Sequence, residues 1–464
     1  MDSRAAQFFN DIKGKKITLI GIGVSHTDLI KLLAQKGAAV TVCDKRTKEQ
    51  IGEACGEFEA LGVKLRLGDG YLDDLNSADI IFRTPGMRFY MPELNKARQN
   101  GIVVTSEMEV FFDLCPCRIF AVTGSDGKTT TTTLISEMLK AQGKTVHLGG
   151  NIGKALLPIV ESIKPTDYAV VELSSFQLIS MRKSPDVAVI TNVAPNHLDM
   201  HKDMQEYIDA KRNIFIHQNA FSRTVLNADN EITASMANDV RGECLTFSRR
   251  GAVRAGAFLD NDMTVCFAGR NGISKIMNAS DIRLPGMHNV ENYLTAIAAV
   301  WGYADIPNMV KVAKEFGGVE HRIEFVRELD GVKWYNDSIA TSPTRTIAGL
   351  DSFNQKIIVI AGGYDKKIPF EPLAPKIIEK VKVLVLTGAT ASKIEAAVAG
   401  CKGYDPQKLK IIHADDMQDA ISKARKAAVK GDVVTLSPAC ASFDKYPNFE
   451  VRGNHYKKLV NELK

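Results

Sequence analysis

Paired cysteines are missing from this chain. Its eight cysteines, Cys43, Cys55, Cys115, Cys117, Cys244, Cys266, Cys401 and Cys440, contain no Cys-x-x-Cys pair and no histidine partner at zinc-finger spacing. A disulfide framework and a structural zinc module are therefore not expected, and reduced thiols are. Long apolar runs are missing too, since no stretch approaches the roughly 18 apolar residues of a membrane span. Met1-Asp2-Ser3-Arg4 lacks the charged-then-apolar layout of a signal peptide. A cytoplasmic location follows as an expectation. Runs of one charge sign are scarce as well. The 59 Lys and Arg are interleaved with 54 Asp and Glu, for a net +5. That gives little support to nucleic-acid binding and leaves local clusters free to hold phosphates. Low-complexity linkers and short internal repeats are also absent.

What is present is a composition of folded domains, 45% hydrophobic and 24% charged with 35 glycines. At 464 residues, the chain predicts about three domains of roughly 150 residues each. Short apolar runs bounded by Gly, Asp or Pro alternate with amphipathic helical stretches, which predicts an α/β fold of parallel sheets covered by helices. The first block, residues 1–106, has strands at Ile17–Ile20, Val40–Cys43, Ile80–Phe82 and Ile102–Thr105, with a helix near Asp28 to Gln35. The second, 107–318, has strands at Ile119–Thr123, Tyr168–Leu173 and Val187–Asn192, with a helix from about Lys128 to Ala141. The third, 319–464, has strands at Val332–Tyr335, Ile357–Ala361, Val383–Thr387, Ile411-Ile412 and Val433–Leu436.

The chemistry concentrates where strands end. Gly124-Ser125-Asp126-Gly127-Lys128-Thr129 follows a strand and opens a helix, a layout that offers backbone N–H groups and the positive helix end to an anion. Lys128 would reach the outer phosphates and the Thr129 hydroxyl would ligate Mg²⁺. The loop is an abbreviated phosphate-binding loop, because Val122 stands where the usual pattern has its first glycine. Glu172 closes an apolar strand at the sheet edge where ligands of open α/β domains collect, and Mg²⁺ is its obvious partner. His197, past another strand at the same edge, reads as a metal ligand or a substrate contact. Either residue read alone could instead be a cap or a surface group. Lys211 on a helical stretch reads as a solvated side chain.

Gly21-Ile22-Gly23 resembles half of a dinucleotide fingerprint, with Asp44 and Arg46 after the second strand and His26 where a third glycine would stand. It fits a nucleotide other than NAD, such as a uridine diphosphate, or a tight turn alone. In the third block His321-Arg322, Asn336-Asp337-Ser338 and Gly362-Gly363-Tyr364-Asp365-Lys366 fall near strand ends. Together they suggest a face that meets a polyanion. A nicotinamide-dependent oxidoreductase and a regulatory ATP-binding protein stay open on the residues alone.

Taken in order, the motifs resemble those of the Mur ligase family over the whole chain. The more particular stretches are Gly149-Gly150-Asn151-Ile152-Gly153, Glu172-Leu173-Ser174-Ser175-Phe176-Gln177-Leu178 and Leu436-Ser437-Pro438-Ala439-Cys440-Ala441-Ser442-Phe443, continuing to Asn448-Phe449-Glu450-Arg452-Gly453. They are similar to the members that add D-glutamate. The resemblance implies a Rossmann-like nucleotide domain, a central ATPase domain and a mobile Rossmann-like C-terminal domain. It implies an ATP-dependent amide bond between UDP-N-acetylmuramoyl-L-alanine and D-glutamate through an acyl phosphate, by a monomer using two Mg²⁺ ions, with Mn²⁺ as a substitute.

Under it, Val24, Ser25, Asp44, Arg46, Gly86, Asn151 and His197 would hold the UDP-sugar substrate. Gly124 to Thr129 with Thr130, Asn289, Asn292, Arg322 and Asp337 would hold ATP. Thr129, Glu172, His197 and Lys211 would serve the metal ions, Lys211 as a carbamate formed from CO₂. Thr341, Lys366, Ser442, Phe443 and Phe449 would receive D-glutamate. Two positions depart from the family, Ile339 where a lysine is usual and His26 where a glycine is.

Overall fold

The computed structural model describes residues 4–195, 201–366 and 368–464. It divides into two compact units, Met1–Ala279 with Glu291–Val312, and Ser280–Val290 with Ala313–Lys464. The first unit holds two sheets. A five-stranded parallel sheet comprises β1 (Lys16–Ile20), β2 (Ala39–Asp44), β3 (Lys64–Leu67), β4 (Ile80–Phe82) and β5 (Val103–Thr105), in the order β3-β2-β1-β4-β5. The nine-stranded sheet comprises β6 (Arg118–Thr123), β7 (Val146–Gly150), β8 (Tyr168–Glu172), β9 (Val187–Ile190), β10 (Arg223–Asn227), β11 (Glu243–Ser248), β12 (Gly256–Leu259), β13 (Thr264–Gly269) and β14 (Gly272–Asn278). Its order is β14-β13-β12-β11-β10-β9-β6-β8-β7, parallel except for the antiparallel β12, β13 and β14 ladder.

In each sheet the order reverses beside its first strand, between β1 and β4 and between β6 and β9. Chains leaving those strands diverge to opposite faces and open a crevice at the carboxyl edge. The Gly21 turn and Thr84–Gly86 meet one crevice, and the Gly124 loop and Thr191-Asn192 meet the other.

The second unit is built on a six-stranded sheet of β15 (Glu324–Leu329), β16 (Val332–Asn336), β17 (Ile357–Ala361), β18 (Val381–Leu386), β19 (Lys410–His413) and β20 (Val433–Leu436), in the order β15-β16-β20-β17-β18-β19. Ile357, Val359 and Ala361 pack into one core while Ile358 and Ile360 pack into the core on the opposite face. A strand buried on both faces reads as a continuous apolar run, which is why β17 was legible in full.

The expected strands are all present, with ends shifted by up to two residues. The sequence reading did not find β3, β7, β10 to β14 or β15. Of these, β7 and β12 to β14 begin or end on glycine, β15 is half-buried along most of its length, and β3 alternates exposed and half-buried residues along Lys64–Leu67.

The first two sheets are not separate packing units. Leu19, Leu29, Phe82, Phe111, Phe112, Ala121, Leu156 and Leu178 belong to one continuous core. The helix Glu107–Leu114, capped by Ser106, lies between the sheets and buries Phe111 and Phe112. Arg83, at the end of β4, crosses to the second sheet's side and donates to Phe176 O and Ser180 Oγ, both at 2.8 Å. Glu107 crosses too, accepting the backbone N–H groups of Leu156 and Leu157 at 3.1 and 2.8 Å.

Burial pushes the Glu107 carboxyl up to about 7 despite those two donors. Between pH ~4.5 and ~7 the folded protein therefore keeps a proton that the unfolded chain has lost. Its contribution to stability falls as pH rises through that window, by at most about 3 kcal/mol. Glu107→Gln keeps the acceptor and removes the titration. Urea denaturation at pH 5 and pH 8 is expected to give a smaller difference for the variant than for the parent.

Candidate functional site

At the end of β6 the chain turns through Gly124 and Gly127, whose φ values are 150° and 77°. A Cβ at Gly124 would collide with the Thr191 hydroxyl, and one at Gly127 with Asn292 Oδ1. Only glycine fits both places, because the loop is pressed against β9's carboxyl end and against Asn292. The Asn192 carbonyl accepts from Ser125 N at 2.9 Å, Asn192 Oδ1 accepts from Asp126 N at 3.0 Å, and Thr191 Oγ1 donates to Asp126 O at 2.5 Å. The helix Lys128–Ala141 starts directly after, as the sequence predicts. Its first-turn N–H groups have no intrahelical acceptors and face the loop. Lys128 Nζ donates to the carbonyls of Gly124 and Ser125, both at 2.9 Å, folding over the loop it would share with a phosphate.

Glu172, at the end of β8, is 2% exposed. It accepts from Thr129 Oγ1 at 2.6 Å and from Asn151 Nδ2 at 2.8 Å. Two hard oxygen donors and an orienting amide thus converge beside the loop. Lys211 corrects the reading of its bare sequence context. It is 1% exposed rather than solvated, lying on the inward face of the helix Met204–Arg212. Its Nζ donates to Gly124 O at 2.8 Å and Thr123 Oγ1 at 3.4 Å and stands 4.6 Å from the Tyr207 ring centroid. Burial, and then the neighbouring Lys128 charge, hold its amine well below the ordinary lysine range in spite of Asp126 and Glu172. The site therefore places an amine that burial makes easier to deprotonate than an ordinary lysine close to the Glu172 carboxylate. His197 lies outside the described residues.

At the edge of the five-stranded sheet, Asp44 organises the first turn. It accepts from Ile22 N at 2.7 Å, and it pairs with Arg46, which donates from Nη2 at 2.8 Å and from Nε at 3.0 Å. Burial raises the Asp44 carboxyl, but the Arg46 and Ile22 hydrogen bonds outweigh it and hold the group down at about 2. Arg46 Nη2 also donates to Ile22 O at 2.5 Å. The helix Val24–Gln35 begins at once, with Val24 and Ser25 in its first turn, four residues earlier than its sequence pattern suggests. His26 fills the place of the missing glycine by turning inward, with Nδ1 2.9 Å from Gly21 O. Gly86 lies on the exposed loop after β4.

The second unit gathers its own set at the carboxyl edge. Asp337, buried after β16, accepts from Ser437 Oγ at 2.9 Å and from Ile323 N at 3.3 Å. Burial pushes its carboxyl up to about 7, countered by Ser437 and the Arg322 charge. His321 sits at φ 63° with Nδ1 2.9 Å from Asn336 Nδ2, and its ring stands edge-on to Phe449 at 5.9 Å. Lys366 Nζ donates to Thr341 Oγ1 at 3.3 Å. Ser442 is buried, Phe443 is exposed, and Phe443 packs edge-on against Tyr364 at 5.8 Å. Asn292 belongs to the first unit, where it accepts from Thr131 Oγ1 at 3.3 Å, and Asn289 to the second, where it donates to Pro285 O at 2.7 Å.

Sequence reasoning missed several supporting residues. Arg452 is a buried guanidinium that donates to Ser338 Oγ, Ser338 O, Ala441 O and Cys440 O at 2.8 to 3.1 Å. The resemblance takes in Arg452 as part of its C-terminal stretch but gives it no role. Tyr207 joins its hydroxyl to Ser125 Oγ at 3.0 Å. Its position four residues before Lys211, on one helix face, was the available signal. His201 and Glu206 carried none.

Family models describing a Mur ligase MurD-like N-terminal domain, a Mur ligase middle domain and a Mur ligase glutamate ligase domain match residues 15–106, 122–300 and 321–440. The chain is similar to the UDP-N-acetylmuramoylalanine–D-glutamate ligase of Acetivibrio thermocellus, 54% identical with 100% of both chains covered. To the ligase of that name from Clostridium acetobutylicum it is 50% identical, with 99% of each chain covered. Among solved structures, a UDP-N-acetylmuramate–alanine ligase from Thermotoga maritima aligns with a TM-score of 0.57 at 19% identity, covering 97% of this chain and 100% of that one. A UDP-N-acetylmuramoyl-L-alanyl-D-glutamate–2,6-diaminopimelate ligase aligns with a TM-score of 0.56 at 20% identity, covering 97% and 93%. These two likenesses concern the fold.

Proposed function

The chain belongs to the Mur ligase family, and from that premise we propose that it joins UDP-N-acetylmuramoyl-L-alanine to D-glutamate through an amide bond, at the cost of ATP, in peptidoglycan precursor synthesis. The carrying observation is full-length identity of about half with D-glutamate ligases. The phosphate loop, Glu172 and Lys211 at one sheet edge add to it. A carboxylate resists amine attack because charge and resonance disfavour addition. Transfer of the γ-phosphoryl group of ATP to the alanyl carboxylate makes an acyl phosphate and ADP. The D-glutamate amine adds to that carbonyl, and phosphate leaves from the tetrahedral intermediate.

The residues divide this work. Gly124 to Thr130 cradle the phosphates, with Lys128 leaving its loop carbonyls to meet the γ-phosphoryl oxygens as charge develops there. Asn289, Asn292, Arg322 and Asp337 serve the rest of ATP. Val24, Ser25, Asp44, Arg46, Gly86, Asn151 and His197 hold the UDP substrate, and Thr341, Lys366, Ser442, Phe443 and Phe449 hold D-glutamate. The division into residues 1–106, 107–318 and 319–464 follows these three tasks, and the protein acts as a cytoplasmic monomer.

A divalent cation suits the donor set at Glu172 and Thr129, which is made of hard oxygens. When bound it would neutralise phosphate charge and polarise the group transferred. Lys211, buried beside the same loop, would add to this set. Once deprotonated, its amine would attack CO₂; a C–N bond forms and the nitrogen releases a proton, leaving a carbamate that supplies anionic oxygens. With His197 this set would serve two Mg²⁺ ions, with Mn²⁺ as a substitute.

The test is to incubate the protein with ATP, Mg²⁺ and UDP-N-acetylmuramoyl-L-alanine plus D-Glu, L-Glu, L-Lys or diaminopimelate singly, and to read product masses. Only D-Glu is expected to give a new adduct. Phosphate release that does not depend on both acceptor and D-glutamate would sink the ligase reading.

A further inference from the structure

Three side chains with no assigned part in the chemistry tie the segment after Glu172 to the helix that carries Lys211. Ser175 opens the short helix Ser175–Leu178, three residues beyond Glu172. Its Oγ lies 2.9 Å from His201 Nε2, and His201 Nδ1 lies 3.3 Å from Glu206 Oε2 in the first turn of Met204–Arg212. A carboxylate only accepts, so Nδ1 carries a proton, and with the ring neutral the Ser175 hydroxyl donates to Nε2. Glu206 is fixed in turn. Its N–H donates to Asp203 Oδ1 at 2.8 Å, and its Oε2 accepts Lys202 N at 2.8 Å.

The spacing is that of a nucleophile, base and acid relay. Ser175 is 2% exposed and His201 4%, so no substrate carbonyl reaches the hydroxyl, and an attack by Ser175 is excluded. What the arrangement can do is hold. The His201 ring stacks on Phe176 at 5.2 Å and 8°, and meets the Tyr207 ring edge-on at 5.3 Å. Tyr207 is the residue whose hydroxyl reaches Ser125 of the phosphate loop and whose ring underlies Lys211. His201 thus touches both elements that would supply cation ligands, one through Ser175 and Phe176, the other through Glu206 and Tyr207.

We propose that His201, acting through Ser175 and Glu206, is a positioning residue that sets the spacing between Glu172 and Lys211 and so the affinity of the divalent-cation site. This rests on the reading of Glu172 and Lys211 as cation ligands. Residues that orient ligands from behind typically change metal affinity about 10- to 100-fold when lost.

The experiment titrates Mn²⁺ against the protein in the presence of ADP, following free Mn²⁺ by electron paramagnetic resonance, without turnover. His201→Ala is expected to raise the Mn²⁺ dissociation constant about ten-fold or more. Ser175→Ala and Glu206→Gln should raise it less, and the His201→Ala/Ser175→Ala pair no further than His201→Ala alone. In steady state the KM for D-glutamate should stay put while the metal requirement rises. If Glu172→Gln loses Mn²⁺ but His201→Ala and Glu206→Gln bind it like the parent, the inference falls and the metal reading stands. If the parent binds no Mn²⁺, or Glu172→Gln binds it equally well, both fall. Should His201→Ala fail to fold by circular dichroism, Glu206→Gln, at the outer end of the relay, carries the same comparison.

Discussion

Replacing Lys211 with methionine is expected to lower kcat about a hundred- to a thousand-fold, the usual cost of removing one group that stabilises developing charge. The same substitution should leave the protein at least as stable as before. An active-site lysine that is an ordinary structural group would lose both together. The split follows from burial. The amine sits 1% exposed beside Lys128, so its ammonium form is penalised in the folded state, and an unbranched apolar side chain of similar length avoids the penalty.

The sign of the pH dependence is also fixed. The unfolded chain keeps the Lys211 proton up to its ordinary value of 10.5, while the folded chain gives it up at lower pH. Over that window the unfolded state binds more protons, so stability rises with pH, and Lys211→Met removes this part of the slope. Urea denaturation at pH 7 and pH 9, in CO₂-depleted buffer with chelator, would measure it, alongside kcat from phosphate release. A variant that loses stability in proportion to activity would show that Lys211 only holds the fold.

Arg452→Leu should produce the largest loss of stability, about 3 kcal/mol or more. The guanidinium fork satisfies the carbonyls of Ser338, Cys440 and Ala441 together with the Ser338 hydroxyl, all in the interior. Leucine fills part of the volume and leaves those acceptors without donors. Burial brings the arginine itself down to about 10, opposed mainly by Cys440 and Asp444. The contacts that hold it are therefore mostly neutral dipoles. Lysine cannot replace the fork, because one ammonium does not span four acceptors in that plane. Chemical denaturation would report the loss. Because the fork holds Ser338, Cys440 and Ala441, close in sequence to the residues proposed to receive D-glutamate, KM for D-glutamate should rise with little change for the UDP substrate. An Arg452→Leu protein as stable as the parent would mean that water enters and satisfies the carbonyls.

The phosphate loop shows how far sequence carries. The helix Lys128–Ala141 was legible to the residue, because the glycine turn, the strand before it and the apolar spacing after it are all local signals. Glu172 and Asp337 were legible as carboxylates closing apolar strands. Lys211 was legible only through resemblance, since nothing in its own helical stretch announces that this face turns inward beneath Tyr207. Arg452, His201 and Glu206 act across 26 to 114 residues of sequence, or through a single partner at close range, and a lone polar residue on a helix or loop carries no sign of such partners. The antiparallel β12, β13 and β14 extension was missed for a different reason. The glycines that begin β12 and β14 and the one that ends β13 look like loop residues.

The continuous core beneath the first two sheets bears on how such proteins can be recombined. A chimera cut after Ser106 would part Phe111, Phe112 and Leu156 from the core residues of the five-stranded sheet and leave Arg83 and Glu107 facing a foreign surface. The nucleotide specificity proposed for this sheet would thus be transferred only as a larger module, one that carries the helix Glu107–Leu114 and the turn Leu157–Ser162 along with the five-stranded sheet. Grafts made with that module intact would keep their interior, and substitutions at the Asp44 and Arg46 edge could then vary without disturbing the phosphate loop behind it.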